Sequence, residues 1–273
     1  MIEEGEAEMI LRVLLVLVVA IVTGGGLTAC STGPETGDCV EKSDDSYVAT
    51  ECATASLRVL ERLDESAGDC VAVAGVTESY SDSGSGSTLC IGPRDVDAAA
   101  AINVAAEGDC VVGVAANSDI HRVDCADPTA EAVVLSRIES ATTIGIIDPC
   151  SSVPGTSSNY SWDMVSTGDD PYGLSSIDKL GVDLLFCLGP VGVDPNSSPD
   201  TAQAGDCLAE TSGDPGYAKV DCGAPDATHR VVERVDGGFL GVEIACGSAP
   251  GVTSGFRAGS GGLDGYVLCL APN

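Results

Sequence analysis

The stretch Gly37-Asp38-Cys39-Val40 opens a four-cysteine pattern that this chain repeats three times. A second cysteine follows with an apolar pair behind it. A third cysteine then begins the spacing Cys-x4-Gly-x4-aromatic, and the pattern closes with cysteine, apolar residue, small residue and proline. The landmarks are Cys39, Cys52, Cys70, Gly75, Tyr80 and Cys90; Cys110, Cys125, Cys150, Gly155, Tyr160 and Cys187; and Cys207, Cys222, Cys246, Gly251, Phe256 and Cys269. Landmarks that recur in one order indicate tandem copies of a single fold unit.

The cysteine count points to an oxidising compartment. The chain has 273 residues and 13 cysteines, and the repeats account for all of these except Cys30. An even number of cysteines in each small repeat is typical of secreted, disulfide-stabilised domains. Four cysteines allow three pairings, and we expect first with second and third with fourth, because both pairs would join neighbouring strands and close short loops. The predicted disulfides are Cys39–Cys52, Cys70–Cys90, Cys110–Cys125, Cys150–Cys187, Cys207–Cys222 and Cys246–Cys269.

The positions of the landmarks divide the chain into three small domains. Repeat one is predicted over residues 37–93, repeat two over 108–190 and repeat three over 205–273. Between them lie the Ala-rich stretch 94–107, read as a short helix or a spacer, and the Pro/Ser/Asp-rich linker 191–204. Short apolar segments bounded by Gly, Asp or Ser predict strands. The predicted fold class is mainly β: three small disulfide-linked antiparallel β-rich domains in tandem after a lipoprotein signal peptide.

Three features of the repeat carry local structural expectations. The segment before the third cysteine is β-branched in repeat two, around Val133-Val134, but has helical spacing over residues 57–63 in repeat one. We predict a strand in all copies and keep a helix as the alternative. The glycine of the third signature predicts a tight turn or a positive φ angle. The aromatic residue five positions later is expected to fill the core.

The amino terminus resembles a bacterial lipoprotein signal. Residues Val13 to Val22 form an apolar run of ten, which fits a signal-peptide core and is short for a bilayer span. Leu27-Thr28-Ala29-Cys30 resembles a lipobox, whose cysteine carries diacylglycerol after cleavage. We therefore predict a signal peptide over 1–29 and a lipidated tether over 30–36. The alternative is an uncleaved anchor with a spare thiol. Residues 3–8 contain four glutamates where a signal peptide is normally positive, and a start at Met9 would leave a short basic lead.

Repeat two carries an insertion of about residues 161–183. From the aromatic residue to the closing cysteine the chain takes 27 positions (160 to 187) in repeat two, against 10 (80 to 90) and 13 (256 to 269) in the others. The segment contains Trp162 and Tyr172, and both residue types are favoured binding anchors. The prediction is a partner-binding loop, and the alternative is an insertion whose Trp162 packs on its own domain.

Charge and motifs exclude several function classes. The formal net charge is −30, which disfavours nucleic acid and anionic lipid headgroups as direct partners. The sequence contains no phosphate-binding loop, nucleophile elbow or Cys-x2-Cys pair, and its two histidines, His121 and His229, occupy non-equivalent positions in their repeats. Asp44-Asp45 and Asp169-Asp170 lack the alternating spacing of a calcium loop. We expect no enzyme, no metal and no cofactor.

One family resembles the repeat motifs. The motifs resemble those of the LppU-like lipoproteins of actinobacteria, and more distantly those of the septum-formation-type extracellular modules. Repeat three matches best, through Gly205-Asp206-Cys207-Leu208, Val220-Asp221-Cys222, the proline at 225, Val231-Val232 and Leu268-Cys269-Leu270. Repeat one departs most, since no proline follows Cys52 at the matching place. The resemblance implies an exported, disulfide-bonded surface lipoprotein and brings no established activity with it.

The expected function follows from these observations together. We expect a protein anchored in the bilayer through acylated Cys30, on the extracytoplasmic face of the cell membrane. It would act as a non-catalytic binding or structural module, with a cell-envelope partner that the sequence does not name. The alternative is an acidic cation-binding or extracytoplasmic sensor protein.

Overall fold

The computed structural model describes residues 33–44, 46–64, 69–82, 85–115, 119–142, 148–168, 181–212, 215–237, 241–258 and 265–273. The chain divides into two compact units, Met1–Pro34 and Glu35–Asn273, and the second contains all three repeats. Cys30 and the predicted signal peptide lie outside the described residues. No membrane-spanning helix is found in the part of the chain that the structure describes.

Each repeat is built almost entirely of strands. Repeat one contains β1 (Cys39–Ser43), β2 (Ser46–Ala49), β3 (Leu57–Asp64), β4 (Glu78–Asp82) and β5 (Ser87–Pro93). Repeat two contains β6 (Cys110–Val112), β7 (His121–Val123), β8 (Ala132–Thr142), β9 (Ser158–Trp162), β10 (Val165–Gly168) and β11 (Gly181–Pro190). Repeat three contains β12 (Cys207–Glu210), β13 (Tyr217–Val220), β14 (His229–Asp236), the α-helix α1 (Val242–Cys246), β15 (Ser254–Ala258) and β16 (Tyr266–Pro272).

The three repeats share one antiparallel topology. Within each repeat the strands lie in the orders β2-β1-β3-β5-β4, β7-β6-β8-β11-β9 and β13-β12-β14-β16-β15, and β10 of repeat two extends the first sheet beyond β4. This confirms the predicted mainly-β fold with three antiparallel sheets. The segment before the third cysteine is a strand in every copy (β3, β8 and β14), so the strand prediction was right and the helical alternative was not.

The six disulfides join the pairs expected from the sequence, with Cα–Cα distances between 5.0 and 5.4 Å. The first pair of each repeat ties the first strand to the loop after the second strand. The second pair differs from the expectation of two neighbouring strands. Cys70 and Cys150 lie in 3-10 turns and Cys246 ends α1, so this bond fastens a turn onto the last strand.

The Gly-Asp-Cys opening has a structural cause. Its glycine adopts a positive φ in all copies: 95° at Gly37, 92° at Gly108 and 99° at Gly205. The aspartate accepts a hydrogen bond of 2.9 Å from the backbone N–H three residues earlier, in each copy. The glycine N–H donates to the third strand at 2.8 Å. The motif therefore starts the first strand in a fixed register, and only glycine takes the left-handed position without strain.

The aromatic residue of each repeat lies at the edge of its core. Tyr80 packs edge-on against Tyr47 with ring centroids 5.5 Å apart. Phe256 meets Tyr217 at 5.4 Å, and Tyr160 stacks on a phenylalanine of β11 at 6.3 Å. Each is partly buried and packs against a core cluster, as the sequence predicted.

The linker between repeats one and two is packed into the core. It contains a 3-10 turn, Ile102–Val104, and its Ile102, Asn103 and Ala105 are buried. The largest buried cluster combines residues of repeat one, this linker and repeat two. The stretch is therefore a structural joint that contains a short 3-10 turn.

Candidate functional site

At each junction, the turn after the third cysteine of one repeat binds a polar side chain from the linker that follows. At the first junction the buried Asn103 accepts a hydrogen bond from Gly75 N–H at 2.9 Å. Its amide donates to the carbonyl oxygens of Val71 and Val73, at 2.9 and 2.8 Å. Gly75 has a φ of +80°, and a Cβ there would lie 2.3 Å from Val96 of the linker. Glycine is thus required at position 75 for two reasons, the positive φ of its backbone and the close approach of the linker.

At the second junction an aspartate takes the same place. Oδ2 of Asp200 accepts from Gly155 N–H at 3.2 Å and from the Ser198 hydroxyl at 2.7 Å. Oδ1 accepts from the Tyr266 hydroxyl at 2.6 Å. Burial, followed by the contact with Asp200, raises the pKa of Tyr266 far above its ordinary range. One carboxylate therefore connects repeat two, the linker and repeat three.

An arginine of the next repeat holds each linker from the other side. Arg137 of β8 donates to the carbonyl of Asn103 at 3.2 Å, and Arg234 of β14 donates to that of Asp200 at 2.8 Å. The two arginines occupy the same position of equivalent strands. The Arg234 guanidinium also lies 4.0 Å from the centre of the Tyr266 ring, a cation–π contact. Both junctions are consequently fixed by contacts with two repeats.

A cavity of about 330 Å³, the first cleft, lies at the first junction. Its apolar lining comes from both repeats and the linker: Val76, Ile102, Ile120 and Trp162. The exposed Asp119 and His121 also line it, and His121 Nδ1 lies 2.6 Å from the Asp119 carbonyl oxygen. These apolar side chains are at least 91% buried, which leaves little contact surface for a ligand.

The insertion of repeat two adds a strand to repeat one. Strand β10 pairs in parallel with β4 and makes the first sheet six-stranded. Val165 N–H donates to the Thr77 carbonyl at 3.0 Å, and the hydroxyl of Ser79 donates to that of Ser166 at 3.2 Å. The insertion thus has a structural role between the two repeats.

This placement bears on the predicted partner-binding loop. Trp162 ends β9 and is only 9% exposed, within the cluster shared by repeats one and two. It packs, as the alternative interpretation had it, but at the junction and not within its own domain alone. A buried indole is not available as an exposed anchor. Tyr172, the other predicted anchor, lies outside the described residues.

A second cleft of about 380 Å³ lies at the second junction, built by the equivalent turn and linker. Its lining is rich in hydroxyl side chains: Thr156, Ser157, Ser197, Ser198, Thr211 and Ser212. Tyr217 and the half-exposed Val193 add an aromatic and an apolar surface. Hydroxyls both donate and accept hydrogen bonds, so this cleft is better suited to a polar ligand than the first.

Other chemical groups are dispersed. His121 lies at the first junction, whereas His229 lies in β14, 2.9 Å from the Thr228 hydroxyl and 3.8 Å from Glu210. Within the described ranges, no group of three or more His, Cys, Asp or Glu side chains is placed to hold a metal ion. The twelve repeat cysteines are all in disulfides.

Sequence reasoning missed the junction residues, although a signal for them exists. Asn103 and Asp200 each lie five positions before the glycine of the next Gly-Asp-Cys motif. Arg137 and Arg234 align with Arg62 of repeat one. Aligning the linkers together with the repeats would have shown both patterns. The chain matches no protein-family model, no curated protein and no solved structure.

Proposed function

We propose that this chain is an exported lipoprotein, anchored in the cell membrane through acylated Cys30, whose three repeats form a rigid, non-catalytic binding module of the cell envelope. Six disulfides support an oxidising, extracytoplasmic location. The apolar run before Leu27-Thr28-Ala29-Cys30 supports export and lipidation. The partner is a component of the envelope.

The second cleft is the observation that carries the binding role. Ligand sites occur preferentially where structural units meet, and they combine apolar surface with a few convergent polar groups. This cleft offers several hydroxyls, Tyr217 and Val193 between two disulfide-bonded repeats. Both Asp200 carboxylate oxygens are already hydrogen-bonded. Four of the cleft hydroxyls donate within the chain, so toward a ligand they would act as acceptors; these are the hydroxyls of Thr156, Ser157, Ser197 and Ser198. The net charge of −30 favours neutral or cationic ligand groups over anionic ones.

Site-specific crosslinking in cells tests the binding role. A photoreactive amino acid is placed at Val193, which is 49% exposed and lines the second cleft, or at Val48, which is 48% exposed on β2 of repeat one. The matched exposure makes Val48 the control for chance collisions. We expect an adduct with one envelope component from position 193 and none from position 48. The same adducts from both positions would remove the second cleft from the proposal.

Replacement of one cysteine tests the anchor separately. Cys30→Ser keeps the signal region but removes the thiol that would be acylated. When cells are labelled with a fatty-acid analogue, the parent protein should incorporate the label and Cys30→Ser should not. No label on the parent, or equal labelling of the two proteins, would contradict lipidation at Cys30 and would leave the crosslinking result unaffected.

A further inference from the structure

The turn after the third cysteine ends at a glycine of the same φ in the three repeats but has different surroundings. Its glycine has a φ of +80° in each copy. A Cβ on Gly75 would lie 2.3 Å from Val96, and one on Gly155 would lie 3.3 Å from Pro195. A Cβ on Gly251 would have no atom within 4 Å in the described structure. Among the described residues, the surface that a linker covers in repeats one and two is therefore open in repeat three.

The hydrogen bonds show the same difference. Gly75 N–H donates to Asn103, and Gly155 N–H donates to Asp200. No described residue accepts from Gly251 N–H. A backbone donor that is bound in two copies of a repeat is available to a partner in the third.

Apolar surface lies in the same part of repeat three. Ile244 of α1 is 74% exposed, the highest value among the large hydrophobic residues of the described chain. Pro250 is exposed as well. Ile244 and Pro250 precede Gly251 in the chain, so exposed apolar side chains flank the residue whose backbone donor is open.

We propose that this surface, the repeat-three turn (Ile244 with residues 247–251), docks an extended segment of a partner protein that carries an asparagine beside small apolar residues. The linker after repeat one supplies the pattern, because Asn103 contacts three backbone groups of its turn, whereas Asp200 contacts only the glycine N–H of the turn in repeat two. Asn103 uses one acceptor and two donors against its turn, and the equivalent groups of repeat three are Gly251 N–H and the carbonyls of Gly247 and Ala249. Asn and Gln are the side chains that combine a carbonyl acceptor with two N–H donors. This docking is independent of the second cleft.

The chain's own linker is a suitable probe. The equivalent turns of repeats one and two are bound by linkers of the same chain, and a peptide in solution does not match the high effective concentration of those linkers. A synthetic peptide of residues 94–107 therefore has the repeat-three turn as its available site. Binding to the full mature chain is followed through the backbone amide signal of Gly251 in NMR spectra.

We expect a saturable shift of the Gly251 amide, and at least tenfold weaker binding of peptides carrying Asn103→Asp or Asn103→Ala. Aspartate is the sharper control, because a carboxylate cannot donate to two carbonyl groups. On the protein, Ile244→Ser should weaken binding about tenfold, whereas Val48→Ser on β2 should leave it unchanged. Both side chains are exposed, so neither change should affect folding.

Three outcomes would overturn the proposal. The first is no shift of Gly251 up to millimolar peptide. The second is equal binding of the Asn103→Asp peptide, since this would show that the amide is not recognised. The third is a Gly251 shift that depends on protein concentration without peptide, which would make a second copy of this chain the occupant.

Discussion

The hydroxyl of Tyr266 donates a hydrogen bond of 2.6 Å to the carboxylate of Asp200, and this contact fastens the last strand of repeat three to the linker before it. The same carboxylate binds the Gly155 turn of repeat two. Tyr266 is 5% exposed, so its hydroxyl has little access to water. Burial and the adjacent negative charge both oppose its ionisation and raise its pKa.

Stability should therefore fall at alkaline pH through Tyr266. Below about pH 10, its ordinary pKa, the phenol is neutral in the folded and unfolded chains. Above that pH the unfolded chain loses the proton while the folded chain keeps it, so the group's contribution declines by about 1.4 kcal/mol per pH unit. Tyr266→Phe should cost about 1–2 kcal/mol at pH 7 but decline less steeply above pH 10. Urea unfolding at pH 7, 10 and 11 measures this.

The control for that experiment is Tyr217→Phe, which removes a phenol without touching the Asp200 contact. The free energy of unfolding of the Tyr217→Phe variant should decline at alkaline pH as steeply as that of the parent protein. Parallel curves for Tyr266→Phe and the parent would show that Tyr266 ionises freely in the folded chain.

The Asn103 amide should be intolerant of a charge. Asn103→Asp keeps the size of the side chain but replaces two donors, which face the Val71 and Val73 carbonyls, by an acceptor oxygen. Because Asn103 is 1% exposed, we expect a loss of about 3 kcal/mol or more in the free energy of unfolding at pH 7. The matched control is Gln203→Glu on the exposed part of the second linker, with an expected change within about 0.5 kcal/mol. Equal small effects would contradict the geometry of the first junction.

The repeat landmarks were sufficient to predict much of the fold. Cysteine spacing, the Gly-Asp-Cys opening and apolar pairs are local signals, and they lead to three sheets of one topology. The strand at β3 was predictable only by comparison, since residues 57–63 taken alone have helical spacing, whereas β8 is clearly β-branched.

The junctions could not be predicted in the same way, because their residues act over long distances in sequence. The hydroxyls of Ser79 and Ser166 are 87 positions apart, and nothing near residues 165–168 indicates a parallel partner in repeat one. Trp162 is a residue type that often anchors binding partners, and only its contacts in the structure show that it belongs to the buried core. Asn103 likewise has no local role that would distinguish it from a solvated linker residue.

Trp162 should contribute strongly to stability. Since its indole is 9% exposed at the junction, Trp162→Ala should lower the free energy of unfolding by about 3–5 kcal/mol, and Trp162→Phe by less. It is the single tryptophan of the chain, so its fluorescence reports this site alone. The folded protein should emit at short wavelength and shift to longer wavelength on unfolding. A loss below about 1 kcal/mol for the alanine variant would contradict burial of Trp162 and would favour the predicted partner-binding loop.

Substitution of Gly75 and of Gly251 can show how closely the linker packs on the first turn, because both glycines have a φ of +80° and occupy the same position of their repeats. Because alanine is strained in this left-handed backbone conformation, each substitution should lower the free energy of unfolding by about 1–2 kcal/mol. At Gly75 the new methyl group would also lie 2.3 Å from Val96, whereas at Gly251 it would meet open space. Gly75→Ala should therefore destabilise the protein by about 1–3 kcal/mol more than Gly251→Ala in denaturant unfolding. Equal losses would mean that the linker does not press on the first turn, and that the open surface of repeat three has no covered counterpart in repeat one.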